Sequence, residues 1–81
     1  MAIFENAEFK DKADFKTDKN LTFVKDVDFN NATFHDNAYF NNRVFEDFVD
    51  FHETDFKKVA CFYSVAFKKP VNFSSIIFMV L

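Results

Sequence analysis

Phenylalanine recurs along the chain at intervals of six and five residues that alternate strictly from Phe23 to Phe78. Two positions before most of these phenylalanines lies a small or aliphatic residue, and the residue between the two is usually polar. Apolar, polar, apolar is the period-two pattern of a short strand with one buried face, and the polar residues that follow are typical of a turn. The pattern therefore predicts a repeated unit of one strand and one turn, with these residues facing inward: Phe4, Phe9, Phe15, Phe23, Phe29, Phe34, Phe40, Phe45, Phe51, Phe56, Phe62, Phe67, Phe73 and Phe78.

An α-helix is the alternative that this spacing must exclude, because eleven residues also make about three helical turns. At about 100° per residue the apolar positions would cover most of a helical cylinder, and the abundant Phe, Val, Thr, Asn and Asp are mediocre helix formers. The residues two before the phenylalanines also fall into two sets, which favours a coil of 22 residues with four distinct sides over a repeat of 11. The two sets, both expected in the interior, are Val27, Val49 and Val71 against Ala13, Ala38 and Ala60.

Two of these units, Ala32-Thr33-Phe34-His35-Asp36 and Ala7-Glu8-Phe9-Lys10-Asp11, resemble the pentapeptide repeat family. That family repeats a small residue, a polar one, a central Leu or Phe and two more polar residues. The resemblance extends along essentially the whole chain, and the alternating sixth residue is similar to the Phe-rich branch of the family. It implies an all-β fold, a right-handed quadrilateral parallel β-helix of about 3.5 coils of 22 residues. Arg43 departs from the pattern, because it occupies an inward position where an unpaired guanidinium would be costly.

The repeat predicts a single domain over residues 1–81 with two irregular places. The wide interval between Phe15 and Phe23 indicates a loop insertion around residues 16–20. The C-terminal end, residues 76–81, is apolar at outward positions too, and apolar residues at an open end favour a further contact. It is interpreted as a cap, a dimer contact or the start of further sequence, formed by Ile76, Ile77, Met79, Val80 and Leu81.

The reactive side chains of the sequence do not converge. His35 and His52 follow phenylalanines at different corners, and Cys61 faces outward on a third side, whereas metal or nucleophilic chemistry needs such groups within a few ångström. A single cysteine excludes an internal disulfide, and the lack of glycine excludes phosphate-cradling loops. No catalytic residue, no metal and no cofactor is therefore predicted.

Charge gives the sequence its clearest candidate surface. The net charge of -3 and the pI near 5.2 argue against direct nucleic-acid binding, which needs surplus lysine and arginine. An outward acidic face is expected at Glu8, Asp28, Asp50 and Asp55. It is either a solvated face that keeps the rod soluble or an interaction face. The family resemblance adds a hypothesis, because some pentapeptide repeat proteins imitate duplex DNA and bind type II topoisomerases through such a face.

The leading interpretation is a non-enzymatic scaffold that presents flat faces to a protein partner or to itself, for example as a homodimer through its C-terminal end. An apolar fourth side with Val44, Ala66 and Phe48 is a candidate lateral surface, and the lysines of residues 57–81 could orient head-to-tail association. The alternatives are the DNA-mimicking regulator and a fragment of a longer membrane-associated pentapeptide repeat protein, the one case in which membrane contact is expected. Residues 1–10 lack the basic and apolar regions of a signal peptide, so a cytoplasmic location is expected.

Overall fold

The computed structural model describes residues 2–16, 22–23 and 26–78, and these residues form short parallel strands joined by turns, with no helix. Each strand is two residues long and covers two of the three positions of the apolar, polar, apolar pattern. The strands are β1 (Ala2–Ile3), β2 (Glu8–Phe9), β3 (Ala13–Asp14), β4 (Thr22–Phe23), β5 (Val27–Asp28), β6 (Thr33–Phe34), β7 (Ala38–Tyr39), β8 (Val44–Phe45), β9 (Val49–Asp50), β10 (Asp55–Phe56), β11 (Ala60–Cys61), β12 (Ala66–Phe67), β13 (Val71–Asn72) and β14 (Ile77–Phe78).

The strands assemble into four parallel sheets, because each strand pairs with the strands four before and four after it in the chain. Side one consists of β1, β5, β9 and β13, and side two of β2, β6, β10 and β14. Side three consists of β3, β7 and β11, and side four of β4, β8 and β12. Val27 pairs with Val49 and Val49 with Val71, each 22 residues apart. The predicted all-β solenoid with a coil of about 22 residues is confirmed, with about three turns; its handedness remains a prediction.

The interior is filled by parallel ladders of phenylalanine rings. Along one ladder, the ring centroids of Phe29 and Phe51 lie 5.1 Å apart and the rings are parallel within 1°. Between ladders, Phe40 and Phe51 meet edge to face at 6.0 Å and 89°. Both arrangements are favourable for aromatic quadrupoles, so one set of residues packs both along and across the rod. The fully enclosed part of the core consists of Ala13, Val27, Phe29, Ala32, Phe34, Ala38, Phe40, Phe45, Val49, Phe51 and Phe56.

The predicted interior differs from the structure near the two ends. Phe73 and Phe78 stack on the ladders but are 41% and 45% exposed, because no described coil covers them on the C-terminal side. Other expected core residues are partly buried and pack against the enclosed core: Phe4, Phe9, Phe15, Phe62, Phe67, Ala60 and Val71. Ile76, expected at a cap or dimer contact, also packs against this core. Phe23 pairs with Phe45 through its strand, and its side chain lies outside the described part. The expected insertion at 16–20, apart from Lys16, and the contact residues Met79, Val80 and Leu81 also lie outside the described residues.

Tight turns lead from side one to side two and from side three to side four. In each, the N–H three residues after a phenylalanine donates to that phenylalanine's carbonyl, as Ala32 does to Phe29 at 3.0 Å. The third residue of the turn has a positive φ of 56–66°. This conformation is the one a type II turn needs, and asparagine tolerates it better than most residues. The residues concerned are Asn6, Asn31, Asn42, Glu53, Ser64 and Ser75.

Replacing Glu53 by glycine is expected to raise the free energy of unfolding. Glu53 holds a φ of 56° with a long side chain. A left-handed conformation costs a non-glycine residue about 1–2 kcal/mol, and glycine removes this cost. Glycine also has the greater conformational entropy in the unfolded state, which offsets part of the gain, so the free energy of unfolding should rise by about 0.5–1 kcal/mol. Urea unfolding followed by circular dichroism measures it. Asn31→Gly is the matched control and should change little; a loss of stability in Glu53→Gly would contradict the argument.

Arg43 is accommodated without being fully buried. Its side chain is partly buried, and its Nε donates a hydrogen bond to the main-chain carbonyl of Phe15 in the preceding coil. The backbone keeps the regular tight turn, since the Arg43 N–H donates to the carbonyl of Phe40 at 3.1 Å. The cost expected for an unpaired interior guanidinium therefore does not arise.

Candidate protein-binding groove

The outward residues of side one form a column along the rod. Asp28 pairs in register with Asp50, and the column is completed by Ile3 at one end and Asn72 at the other. Neighbouring strands lie about 4.8 Å apart, so the two carboxylates repel each other. Side one therefore brings together two of the four carboxylates that the sequence predicted as an acidic face.

Both carboxylates also hold the turn that follows them. Asp28 Oδ1 accepts a hydrogen bond from the N–H of Asn30 at 2.7 Å, and Asp50 Oδ1 accepts one from His52 at 2.8 Å. Asn72 makes the same contact with Ser74 at 2.9 Å. This is an Asx turn, in which the side-chain oxygen of Asp or Asn accepts a hydrogen bond from the backbone N–H two residues later. Asparagine can serve at this position as well as aspartate. The negative charge of Asp28 and Asp50 can therefore be removed without removing the hydrogen bond that holds the turn.

A wall of three residues borders the acidic column on the side-four edge. Asp26, Phe48 and Pro70 stand 22 residues apart, each directly before the valine of a side-one strand. The N–H of Val27 donates to the carbonyl of Phe48 at 3.0 Å, which ties two of these wall positions together. Between wall and column runs a groove of about 600 Å³, lined by Asp26, Val27, Asp28, Phe48, Val49, Asp50, Pro70, Val71 and Asn72.

Phe48 is the exposed aromatic residue of the wall and is 52% exposed. The ammonium group of Lys69 lies 5.1 Å from its ring centroid and 3.8 Å from Asp47. A cation over an aromatic ring is favoured by the ring quadrupole. The rim of the groove therefore already holds one cation of the chain itself.

The two carboxylates predicted on side two lie apart from each other and are paired. Thr33 separates Glu8 from Asp55 in the side-two column. Asp55 forms an ion pair with Lys57 at 3.0 Å. Glu8 lies 3.1 Å from Nε2 of His35, and this hydrogen bond, together with the charge of Lys10, holds the pKa of Glu8 below its ordinary value. A lowered carboxyl pKa stabilises the fold above the ordinary pKa of Glu, and this contribution is lost as the pH falls through the lowered value.

The remaining candidates from the sequence do not assemble a reactive site. Cys61 is a free thiol that pairs in register with Tyr39 on side three. His35 contacts Glu8, whereas His52 lies within the tight turn after Phe51 and contacts Ser74 and Glu53. In the described part of the chain no three His, Cys, Asp or Glu side chains are grouped to hold a metal ion. Within the same part there is no helix with the length and hydropathy needed to span a bilayer.

The groove was not predicted, although the sequence carries a signal for it. Phe48 lies outside the phenylalanine series and was assigned to the outer face of side four with Val44 and Ala66. Val44 and Ala66 do pair in register on that side. Phe48 instead stands on the wall beside side one. Comparing residues 22 apart, which revealed the coil, would also have aligned Phe48 with Asp26 and Pro70.

Comparison of the chain with protein-family models, curated proteins and solved structures gave no match. The resemblance to the pentapeptide repeat family therefore remains a prediction from the repeated units.

Proposed function

We propose that this chain is a non-enzymatic interaction scaffold that binds a protein partner in the side-one groove, and that the bound segment is extended and carries arginine or lysine. The observation that carries the proposal is the groove itself, whose lining combines the exposed ring of Phe48 with the paired carboxylates Asp28 and Asp50. A rigid solenoid suits this role because its side chains are fixed by the ladders beneath them.

Charge complementarity supports a cationic occupant. Within the described residues Asp26, Asp28 and Asp50 take part in no ion pair, in contrast to Glu8 and Asp55 on side two. A bound cation would relieve the repulsion between Asp28 and Asp50. The position of Lys69 over Phe48 supports the same chemistry, since a partner's guanidinium can use the ring in the same way.

The non-enzymatic part of the proposal is supported by the placement of the reactive groups. An acid, a base and a nucleophile must meet around one reacting atom. Here Cys61 lies on side three, and the two histidines lie at different corners with separate partners.

The alternative of a DNA-mimicking regulator of type II topoisomerases would use the same acidic face. Imitation of duplex DNA calls for a long regular row of charges, because the duplex carries about one charge per 1.7 Å. The side-one column holds two carboxylates between Ile3 and Asn72, and the side-two carboxylates Glu8 and Asp55 form ion pairs with Lys10 and Lys57. These features favour the groove scaffold over mimicry.

Neutralising Asp28 and Asp50 together is expected to weaken binding of a cationic segment by about tenfold. The probe is a fluorescein-labelled peptide of alternating arginine and threonine, titrated with the protein by fluorescence anisotropy at physiological salt. Two exposed ion pairs contribute roughly 0.2–1 kcal/mol each, and tenfold corresponds to about 1.4 kcal/mol. Asn72 shows that asparagine preserves the turn, so Asp28→Asn with Asp50→Asn should fold normally.

The matched control is Glu8→Gln with Asp55→Asn, which removes the same charge from side two and should change binding less than threefold. Phe48→Ala should also weaken binding. Equal losses in both double variants would mean that net charge alone attracts the probe, which would overturn the groove. Absence of binding to the unmodified protein would do the same. A topoisomerase supercoiling assay with both double variants tests the alternative.

A further inference from the structure

The two ends of the solenoid offer complementary backbone groups. On sides one and three, the N–H of an inward phenylalanine donates to a carbonyl of the next coil, as from Phe40 to Cys61 at 2.8 Å and from Phe51 to Asn72 at 2.8 Å. On sides two and four the direction is reversed, as from the N–H of Asp55 to the carbonyl of Ala32 in the preceding coil at 2.9 Å. At the C-terminal end, Phe73 and Phe78 have no described coil beyond them, and Ile77 is 55% exposed. At the N-terminal end, the outward Ile3 is 66% exposed. Unpaired edges of this kind are templates for further strand pairing.

The order of the strands determines how a second copy would fit. The first four strands occupy sides one, two, three and four, and the last four, β11 to β14, occupy sides three, four, one and two. The strand position that follows β14 around the rod is therefore on side three. A second copy that continues the rod must place its β1 there, above β11. It must consequently be turned by half a turn about the rod axis.

A half turn is compatible with the shape of the coil. The coil consists of two halves of 11 residues, each with one interval of five and one of six between phenylalanines. Tight turns follow both side one and side three. In the half-turn register Phe62 and Phe67, five residues apart, lie over Phe4 and Phe9, which are also five apart. The stacked ring ladders, with centroid spacings of 5.0 Å between Phe4 and Phe29 and 4.5 Å between Phe9 and Phe34, would continue across the junction.

The inward residue of the first strand matches the opposite side. Ala2 lies on side one, where the corresponding residues of later coils are valines: Val27, Val49 and Val71. The corresponding column of side three consists of alanines: Ala13, Ala38 and Ala60. After a half turn, Ala2 of the next copy lies on Ala60 and extends the alanine column.

Two outward residues of the first coil show the same half-turn offset. Asp14 on side three makes the Asx turn that is characteristic of the side-one column, accepting the N–H of Lys16 at 3.1 Å. The hydrogen bond from the Lys16 ammonium at 2.8 Å, together with this backbone contact, lowers the pKa of Asp14. After a half turn Asp14 lies next to Asn72, which makes the same turn. Ile3 is the apolar member of a side-one column that otherwise contains Asp and Asn. In the half-turn register it lies beside Cys61 of the neighbouring copy.

The charges at the junction agree with this register. Residues 57–78 contain four lysines and no acidic residue, whereas residues 2–16 contain four acidic residues and three lysines. Lys69, two residues after Phe67, comes to lie beside Asp11, two residues after Phe9. Lys68 comes to lie beside Lys10, and Glu8, 3.5 Å from Lys10, offsets that repulsion.

We propose that copies of this chain stack head to tail, each turned by half a turn about the rod axis, with β11 to β14 of one copy paired to β1 to β4 of the next. Such a junction is heterologous and does not close, so it gives open-ended filaments of increasing length and not a fixed dimer. The side-one groove stays on the lateral surface, but its end at Pro70, Val71 and Asn72 lies at the junction.

The native cysteine makes the register testable. In the half-turn register Ile3 is the strand partner of Cys61 in the neighbouring copy, at the roughly 4.8 Å between adjacent strands, which a disulfide can span. Within one chain the two residues lie on different sides, so the bond cannot form internally. Ile3→Cys is therefore expected to give a ladder of covalent dimers, trimers and longer species under mild oxidation, on a non-reducing gel.

Two control variants define the result. In the unrotated register Ile3 would face Asn72, so Ile3→Cys with Asn72→Cys and Cys61→Ser should cross-link at least fivefold less than Ile3→Cys. Ile3→Cys with Cys61→Ser should give no species longer than a dimer. Equal yields in the two registers would overturn the proposal. Sedimentation velocity on the unmodified protein needs no substitution: average mass that rises with concentration supports the stack, whereas a monomer or a discrete dimer at all concentrations overturns it.

Discussion

Replacing Phe40 by alanine is expected to lower the free energy of unfolding by about 3–5 kcal/mol, as is typical of truncating a buried phenylalanine. Phe40 is fully enclosed, and its ring stacks 5.1 Å from Phe15 on one side and 5.1 Å from Phe62 on the other. It also meets Phe29 and Phe51 edge to face. The cavity would interrupt one ladder in the middle of the rod, where neighbouring coils cannot collapse without breaking their strand pairing. Urea unfolding followed by far-ultraviolet circular dichroism measures the loss.

Phe78→Ala is the matched control at the end of another ladder. Phe78 is 45% exposed and stacks on Phe56 at 5.3 Å. Its truncation removes less buried area and leaves no enclosed cavity, so the loss should be less than half of that for Phe40→Ala. Because each coil of a solenoid is stabilised by its neighbours, a central defect should also reduce cooperativity more than a terminal one. Equal losses at the two positions would show that the central ladder is not close-packed.

The spacing of apolar residues determined most of this fold because the same three-residue unit, apolar, polar, apolar, recurs at most strands. The differing inward residues also indicated the 22-residue coil, and the structure pairs Val27 with Val49 and Ala38 with Ala60. Such inference works because the environment of each inward position repeats along the rod. It was incomplete at the C-terminal end, where Phe73 follows the pattern but is partly exposed.

The features that the sequence did not reveal depend on contacts between residues in different coils. The guanidinium of Arg43 reaches the carbonyl of Phe15, which no local pattern around Arg43 indicates. The acidic face was predicted from the outward direction of the side chains alone. That criterion could not distinguish the repelling pair of side one from Glu8, which forms an ion pair with Lys10 and a hydrogen bond with His35. The Asx turns at Asp28 and Asp50 give these carboxylates a structural role beside any binding role.

Replacing Ala38 by leucine should destabilise the protein by about 1–3 kcal/mol or more, the usual cost of inserting a larger side chain into a packed interior. Ala38 is fully enclosed, with Ala13 and Ala60 directly before and after it in the side-three column. The free energy of unfolding in urea measures this effect.

Ala60→Leu tests the same column where it is less enclosed. Ala60 is partly buried, and no described strand follows β11 on side three, so an isolated chain should tolerate leucine there at a cost of less than about 1 kcal/mol. In stacked copies the same leucine would collide with Ala2 of the next copy, so Ala60→Leu should shorten filaments while leaving the monomer folded. If Ala38→Leu cost no more than Ala60→Leu, the alanine column would not be what distinguishes side three from side one. The valine and alanine sets would then need a cause other than packing.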